Sequence, residues 1–164
     1  MPCYFRPMMR SLLLVAALIT SAAAPAQQAP SIDVPAGMHP LLEAKGEGAQ
    51  IYTCAAGKWI LKAPDAKLLD AKGTVIGAHF AGPTWKLSDG SEVKGKAIAT
   101  QSSPEAGSVP WLLLQAVPGS GSGKFAAVTY IRRTETHGGA APKEACTSGD
   151  SSQPYTAIYS FYAK

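Results

Sequence analysis

Hydrophobic and polar residues alternate along several short segments of this chain. In the clearest segment, residues 155–161, one face carries Tyr155, Ala157, Tyr159 and Phe161 and the other carries Thr156, Ile158 and Ser160. A period of two places successive side chains on opposite faces of a β-strand. The pattern therefore predicts a half-buried strand near the C-terminus.

Two further segments extend this picture. Residues 125–136 form the longest predicted strand, with Tyr130 and Arg132 on one face and Ile131 and Arg133 on the other. Residues 109–117 are apolar without alternation, which is typical of a strand covered on both faces. Turn residues separate about eight to ten such segments. The chain is therefore predicted to be all-β, a single antiparallel sandwich or barrel.

Residues 77–91 combine strand and turn signals with the residues of greatest chemical interest. If Gly82 and Pro83 form a tight connection, Phe80 lies opposite Trp85 and Ala78 lies opposite Leu87. His79 would then lie opposite Lys86, on the face that points away from the core. The Asp89–Gly90 dipeptide that follows is typical of a turn.

The N-terminus has the three parts of a secretory signal peptide. Arg6 and Arg10 precede a short apolar run at residues 11–19, and small residues follow as far as Ala26. We predict a signal peptide at residues 1–26, a loose lead-in at 27–48 and one all-β domain at 49–164. The mature protein would be exported to the periplasm or the extracellular space, with no membrane span after cleavage.

Charge and cysteine content narrow the class of protein. The formal net charge is +4, and it falls to about +2 when the leader is removed. The longest basic cluster left is the pair Arg132 and Arg133, so nucleic acid is not an expected partner. Cys54 and Cys146 are the two cysteines outside the leader, and in an exported chain they most simply form a disulfide.

The familiar sequence motifs for cofactor and metal binding are missing. Residues 119–124 lack the spacing of a phosphate-binding loop, and no dinucleotide fingerprint or His-Glu-x-x-His pattern is present. The three histidines, His39, His79 and His137, lie on separate segments without metal-ligand spacing. We expect neither a cofactor nor a metal.

A weak catalytic candidate remains. His79 oriented by Asp89 would be a general acid or base, and Arg132 would hold an anionic group. The structural reading is the stronger one for two of these residues, since Asp89 stabilises its own turn and Trp85 belongs to the core. The candidate binding residues are His79, Trp85, Tyr130, Arg132 and His137.

Several ordered motifs resemble one known family. They include residues 50–54, 77–85 and 129–134, together with Gly138, Gly139 and Cys146. Across residues 48–162 the chain looks like the domain-of-unknown-function family numbered 3455, which occurs in exported proteins of bacteria and fungi. The resemblance implies no activity and no catalytic residues, and it agrees with a pairing of the two cysteines.

Three functions remain open from the sequence. The leading hypothesis is an exported binding or structural module of the cell envelope or extracellular space, with an unknown ligand or envelope component as partner. The alternative is a small hydrolase- or isomerase-like enzyme that uses His79 and Arg132. The third is a structural envelope protein without a ligand.

Overall fold

Eight antiparallel strands close into a barrel in a computed structural model that describes residues 31–164. The predicted signal peptide and the first residues of the lead-in lie outside this range. The all-β antiparallel prediction is confirmed, and the architecture is a barrel rather than a sandwich. The strands are β1 (His39–Ala55), β2 (Lys58–Leu69), β3 (Val75–Phe80), β4 (Thr84–Leu87), β5 (Glu92–Gln101), β6 (Trp111–Ala116), β7 (Val128–Gly138) and β8 (Asp150–Ala163).

Each strand pairs with its neighbour in sequence, and β1 pairs with β8 to close the barrel. That last pairing runs from His39 opposite Ala163 to Thr53 opposite Asp150. Closure gives every strand a partner on both sides, although residues 58–65 of β2 pair with β1 alone. A single 3₁₀ turn, Gly123–Phe125, precedes β7. Within residues 31–164, no helix has the length and apolar character needed to cross a membrane.

β1 begins ten residues earlier than the sequence indicates, so residues 39–48 are strand and not a loose lead-in. The glycines that suggested a loop are sites of close contact. A Cβ at Gly46 would lie 2.5 Å from Cε2 of Tyr159, and a Cβ at Gly48 would lie 2.1 Å from the carbonyl oxygen of Asp65. Glycine lets the neighbouring strand and ring approach at these positions.

One half of the barrel interior is filled by apolar side chains. Phe125 stacks on Phe161 with ring centroids 4.6 Å apart, and Trp85 meets Phe161 edge-on at 6.0 Å. Leu68 and Ile131 complete this packing without exposure to solvent. Burial of each such side chain contributes about 1.5–3 kcal/mol, so this half supplies much of the folding free energy.

A second, smaller cluster covers the outside of the barrel. Ile32, from the segment before β1, packs with Ala99 of β5 and Leu113 of β6. Leu114, the next residue of β6, belongs to the interior cluster. Apolar cover on both faces explains why this strand shows no alternation.

A disulfide joins the end of β1 to the connection between β7 and β8. Cys54 and Cys146 are bonded across 92 residues, as the sequence predicts. The Cys54 N–H also donates to the Gly149 carbonyl at 2.9 Å. The bond therefore fixes one end of the barrel.

The register of β3 and β4 differs from the predicted one by one residue. His79 pairs with Trp85, Ala78 with Lys86 and Phe80 with Thr84. The connection is three residues long, Ala81 to Pro83, with Gly82 at a φ of 86°. A slip of one residue moves every side chain to the other face. His79 therefore points into the barrel, 3% exposed, whereas Phe80 is 38% exposed.

Candidate functional site

The barrel holds a cavity of about 280 Å³ at the end that the disulfide fixes. Leu61, Pro83 and Pro110 are exposed residues at its rim. The polar side chains that line it come from five different strands, and they are Gln50, Tyr52, His79, Trp85, Arg133 and Tyr159. The cavity therefore gathers polar groups within a barrel whose other half is apolar.

A larger depression, of about 620 Å³, lies at the opposite end of the barrel. Its walls are mainly aliphatic, from Leu41, Val75 and Leu87 among others, and Asp89 and Lys124 lie at its margin. These two charges bind each other at 2.9 Å. The depression offers few groups for recognition, so the cavity inside the barrel is the better candidate site.

Two contacts fix the position of His79 in the wall of the cavity, one through its ring and one through a ring nitrogen. Its ring stacks on Trp85 with centroids 4.4 Å apart and planes within 8°. Nδ1 lies 2.9 Å from the Thr84 carbonyl oxygen, to which it must donate. Among the hydrogen bonds of residues 31–164, none involves Nε2. Nε2 is therefore an acceptor that faces the cavity.

The environment of His79 keeps the imidazole neutral. Burial lowers its pKa from 6.5 to about 4, the Thr84 hydrogen bond opposes this change, and the charge of Arg133 adds to it. A ring with so low a pKa is not in its imidazolium form at neutral pH, so it is neither a general acid nor a strong base there. His79 is thus better suited to accepting a hydrogen bond than to acid–base catalysis.

Arg133 supplies the positive charge of the cavity. It follows Ile131 on the inward face of β7 and is 8% exposed. Its Nε and Nη2 donate to the Pro110 carbonyl at 3.1 and 2.8 Å. These bonds fix the guanidinium at the mouth and leave three of its five N–H groups for other partners.

Tyr159 and Gln50 complete the polar wall, and Tyr155 lies behind them. The hydroxyls of Tyr155 and Tyr159 lie 3.1 Å apart, and burial raises the pKa of both. Interaction with Gln50 partly offsets the rise in the pKa of Tyr155, yet Gln50 Nε2 has no hydrogen-bond partner within the described chain. Trp85 Nε1 is also buried without a partner there. Two buried N–H groups around the cavity thus lack a hydrogen-bond partner within the described chain.

The structure brings together two of the residues predicted from sequence, His79 and Trp85. Asp89 lies in the turn at the far end of the barrel, where it accepts from the Ser91 N–H at 3.0 Å. The hydrogen bond from Lys124 and the Ser91 contacts lower the Asp89 pKa to about 2. Asp89 therefore stabilises its own turn and does not orient His79.

The other predicted residues lie on the outer surface. Arg132 lies over the ring of Tyr162, 5.8 Å from its centroid, and Tyr130 packs against the outer cluster around Ile32. His137 is exposed and pairs with Glu105. Because neighbours on a strand point to opposite faces, Arg133 and not Arg132 reaches the cavity.

Sequence reasoning missed Gln50, Tyr52, Arg133, Tyr155 and Tyr159. A signal was present for three of them. Arg133 shares a face with Ile131, and Tyr155 and Tyr159 share one with Phe161, so an apolar neighbour two residues away marked each as inward. No such signal marks Gln50 and Tyr52, since β1 carries glycine at the neighbouring inward positions.

The chemistry of the cavity follows from the side chains that line it. The residues that line the cavity include no serine, cysteine, aspartate or glutamate. Residues 31–164 also contain no group of three or more histidine, cysteine, aspartate or glutamate side chains placed to hold a metal ion. The cavity therefore offers hydrogen-bond donors and the Nε2 acceptor of His79 beside one positive charge.

One family matches this chain. Its description is "Protein of unknown function (DUF3455)", and the match covers residues 35–163, which include all eight strands of the barrel. No curated protein and no solved structure matches the chain.

Proposed function

The chain belongs to the family described as protein of unknown function (DUF3455), and we propose that it is an exported binding protein that holds one small molecule inside its barrel. The observation that carries this proposal is the cavity of about 280 Å³, which is lined by six polar side chains that include the buried Arg133. Arg133 keeps three N–H groups beyond its bonds to Pro110, and a ligand that accepts from them forms charge-assisted hydrogen bonds.

The size of the cavity limits the ligand. Its volume equals that of about nine water molecules in the liquid, near the lower end of the range for ligand pockets. One small ring or a short branched chain fits this space, and a polymer chain does not. The geometry thus favours a small molecule over a polymer as the ligand.

Export is the cellular context of this proposal. The disulfide supports it, because such bonds persist in oxidising compartments. The leader-like N-terminus supports it independently. The periplasm or the extracellular space is therefore where we expect the ligand to be met.

The experiment is a thermal-shift screen of the disulfide-bonded protein with a library of neutral, anionic and cationic compounds of up to about fifteen non-hydrogen atoms. A ligand present at about 100 times its Kd stabilises the folded state by about 2.7 kcal/mol, so true ligands raise Tm by several degrees. If no compound in the library raises Tm, the proposal is wrong.

A pair of variants tests whether the compounds bind in the cavity. Val109→Phe adds a ring to a residue that lines it, and Val117→Phe makes the same change at an exposed residue just after β6. Compounds that stabilise the wild type should lose their effect on Val109→Phe and keep it on Val117→Phe. Equal stabilisation of both variants would place the binding site elsewhere.

A further inference from the structure

Arg133 is a buried positive charge without a negative partner. None of the ion pairs found within residues 31–164 includes it, and no aspartate or glutamate there is buried. Its two hydrogen bonds go to a neutral carbonyl. A buried charge is strongly unfavourable unless a counter-charge lies beside it. The barrel therefore lacks a negative group to pair with Arg133.

The other titratable groups around the cavity do not supply the missing negative charge. Burial raises the pKa values of Tyr52, Tyr155 and Tyr159, so all three hydroxyls stay protonated at neutral pH. His79 is neutral for the reason given above. The counter-charge must therefore come from outside the described chain.

The free N–H groups of Arg133 suit one kind of ligand. Arg133 lines the cavity, and its two bonds to the Pro110 carbonyl leave three of its five N–H groups for a ligand. A ligand group with several lone pairs can accept from more than one of these N–H groups at once.

The remaining wall of the cavity is apolar. Leu61, Val109, Leu112 and Leu114 provide most of it. An inorganic anion would leave these side chains uncovered, whereas an organic acid would cover them with its body. We propose that the ligand of the barrel is a small organic carboxylate with an apolar body, whose carboxylate pairs with Arg133. This inference rests on the proposed function and specifies its ligand class.

The test compares carboxylates with their own amides. Isothermal titration calorimetry at pH 7 measures butyrate against butyramide, benzoate against benzamide, and phenylacetate against phenylacetamide. Each pair has nearly the same shape and differs in charge. We expect the carboxylate of at least one pair to bind about tenfold or more tightly than its amide, because only the carboxylate makes a charge-assisted bond. This comparison uses the wild-type protein and does not depend on a variant that folds.

Neighbouring arginines give a matched pair of variants. Arg133→Met should weaken carboxylate binding about 10- to 100-fold and change amide binding by less than about threefold. Arg132→Met removes the same charge from the outer face and should leave both affinities unchanged. Near-UV circular dichroism checks that both variants keep the native packing.

Each result decides the inference. Amides that bind as tightly as their carboxylates, or carboxylate binding that survives Arg133→Met, would overturn it and leave a barrel that binds neutral molecules. Failure of every compound in the three pairs would also overturn it. The wider library screen then decides the proposed function separately, because that library contains neutral and cationic compounds as well.

Discussion

Among individual residues, His79 shows most directly how the barrel changes the chemistry of a side chain. On the predicted outer face it would have been an ordinary surface histidine. Inside the barrel it is stacked on Trp85, bonded to the Thr84 carbonyl and removed from water. Burial is the largest of the effects that lower its pKa, and the result is a neutral acceptor.

The lowered pKa of His79 predicts how stability changes with pH. The unfolded chain takes up this proton at the ordinary pKa of 6.5, and the folded protein takes it up only near 4. The contribution of neutral His79 to the free energy of unfolding is therefore fully present above pH 6.5 and is lost as the pH falls toward 4. The complete loss is about 3 kcal/mol, at 1.36 kcal/mol per pKa unit.

Urea denaturation at pH 7.5, 6.0 and 4.5 measures this effect. His79→Gln should flatten the decline, since an amide can still donate to the Thr84 carbonyl but does not titrate. His137→Gln, at an exposed histidine, is the control and should keep the wild-type decline that His79 causes. A His79→Gln variant that loses stability as steeply as the wild type would contradict the assignment.

At the scale of the strands, β1 shows why the sequence did not predict that residues 39–48 form a strand. Its first half contains Gly46 and Gly48, which in a sequence resemble a loop. In the barrel they give room to the fully buried Tyr159 and to the backbone of β2. The space they leave is a property of the neighbouring strands, so no local pattern reveals it.

Gly46 provides a direct test of this account. A Cβ there would lie 2.5 Å from the ring of Tyr159, which is packed on all sides. We expect Gly46→Ala to lower the free energy of unfolding by about 1–3 kcal/mol, because overpacking forces side chains and backbone to shift. Denaturant unfolding of the purified variant measures this change.

A double-mutant cycle separates this contact from a general effect of alanine in β1. Tyr159→Leu shortens the opposing side chain, so the double variant Gly46→Ala, Tyr159→Leu should lose less than the two single variants together. Additive losses would show that the ring of Tyr159 is not what requires glycine. The cycle therefore tests the contact itself.

The alternation of residues was a sound guide wherever a strand has one buried face. It predicted the inward face of residues 155–161 and the two-sided cover of the apolar run at 109–117. It was wrong for β3 and β4 because the register of a hairpin depends on the length of its turn. One extra residue in that turn exchanged the roles of His79 and Phe80.

For the whole molecule, the choice between barrel and sandwich depends on a contact between the ends of the domain. β1 and β8 are far apart in sequence, and their pairing closes the sheet. Neither strand carries a local signal that names its partner. The class of fold could thus be predicted from the alternating pattern, while closure, and with it the enclosed cavity, could not.

The disulfide is the last element that acts on the molecule as a whole. It links residues 92 apart and holds the connection between β7 and β8 against the turn after β1, at the end where the cavity opens. Reduction should lower the free energy of unfolding by about 4–5 kcal/mol, since the reduced unfolded chain regains the freedom of a long loop. Denaturant unfolding with and without a reductant measures the loss.

The double variant Cys54→Ser, Cys146→Ser is the control for this measurement. It should match the reduced wild type in stability and should not respond to the reductant. The loss falls mainly on the unfolded state in the chain-entropy description, so the reduced protein should keep its barrel and its native near-ultraviolet spectrum below the unfolding transition. A wild type whose unfolding midpoint is unchanged when the bond is fully reduced would contradict the expected restriction of the unfolded chain.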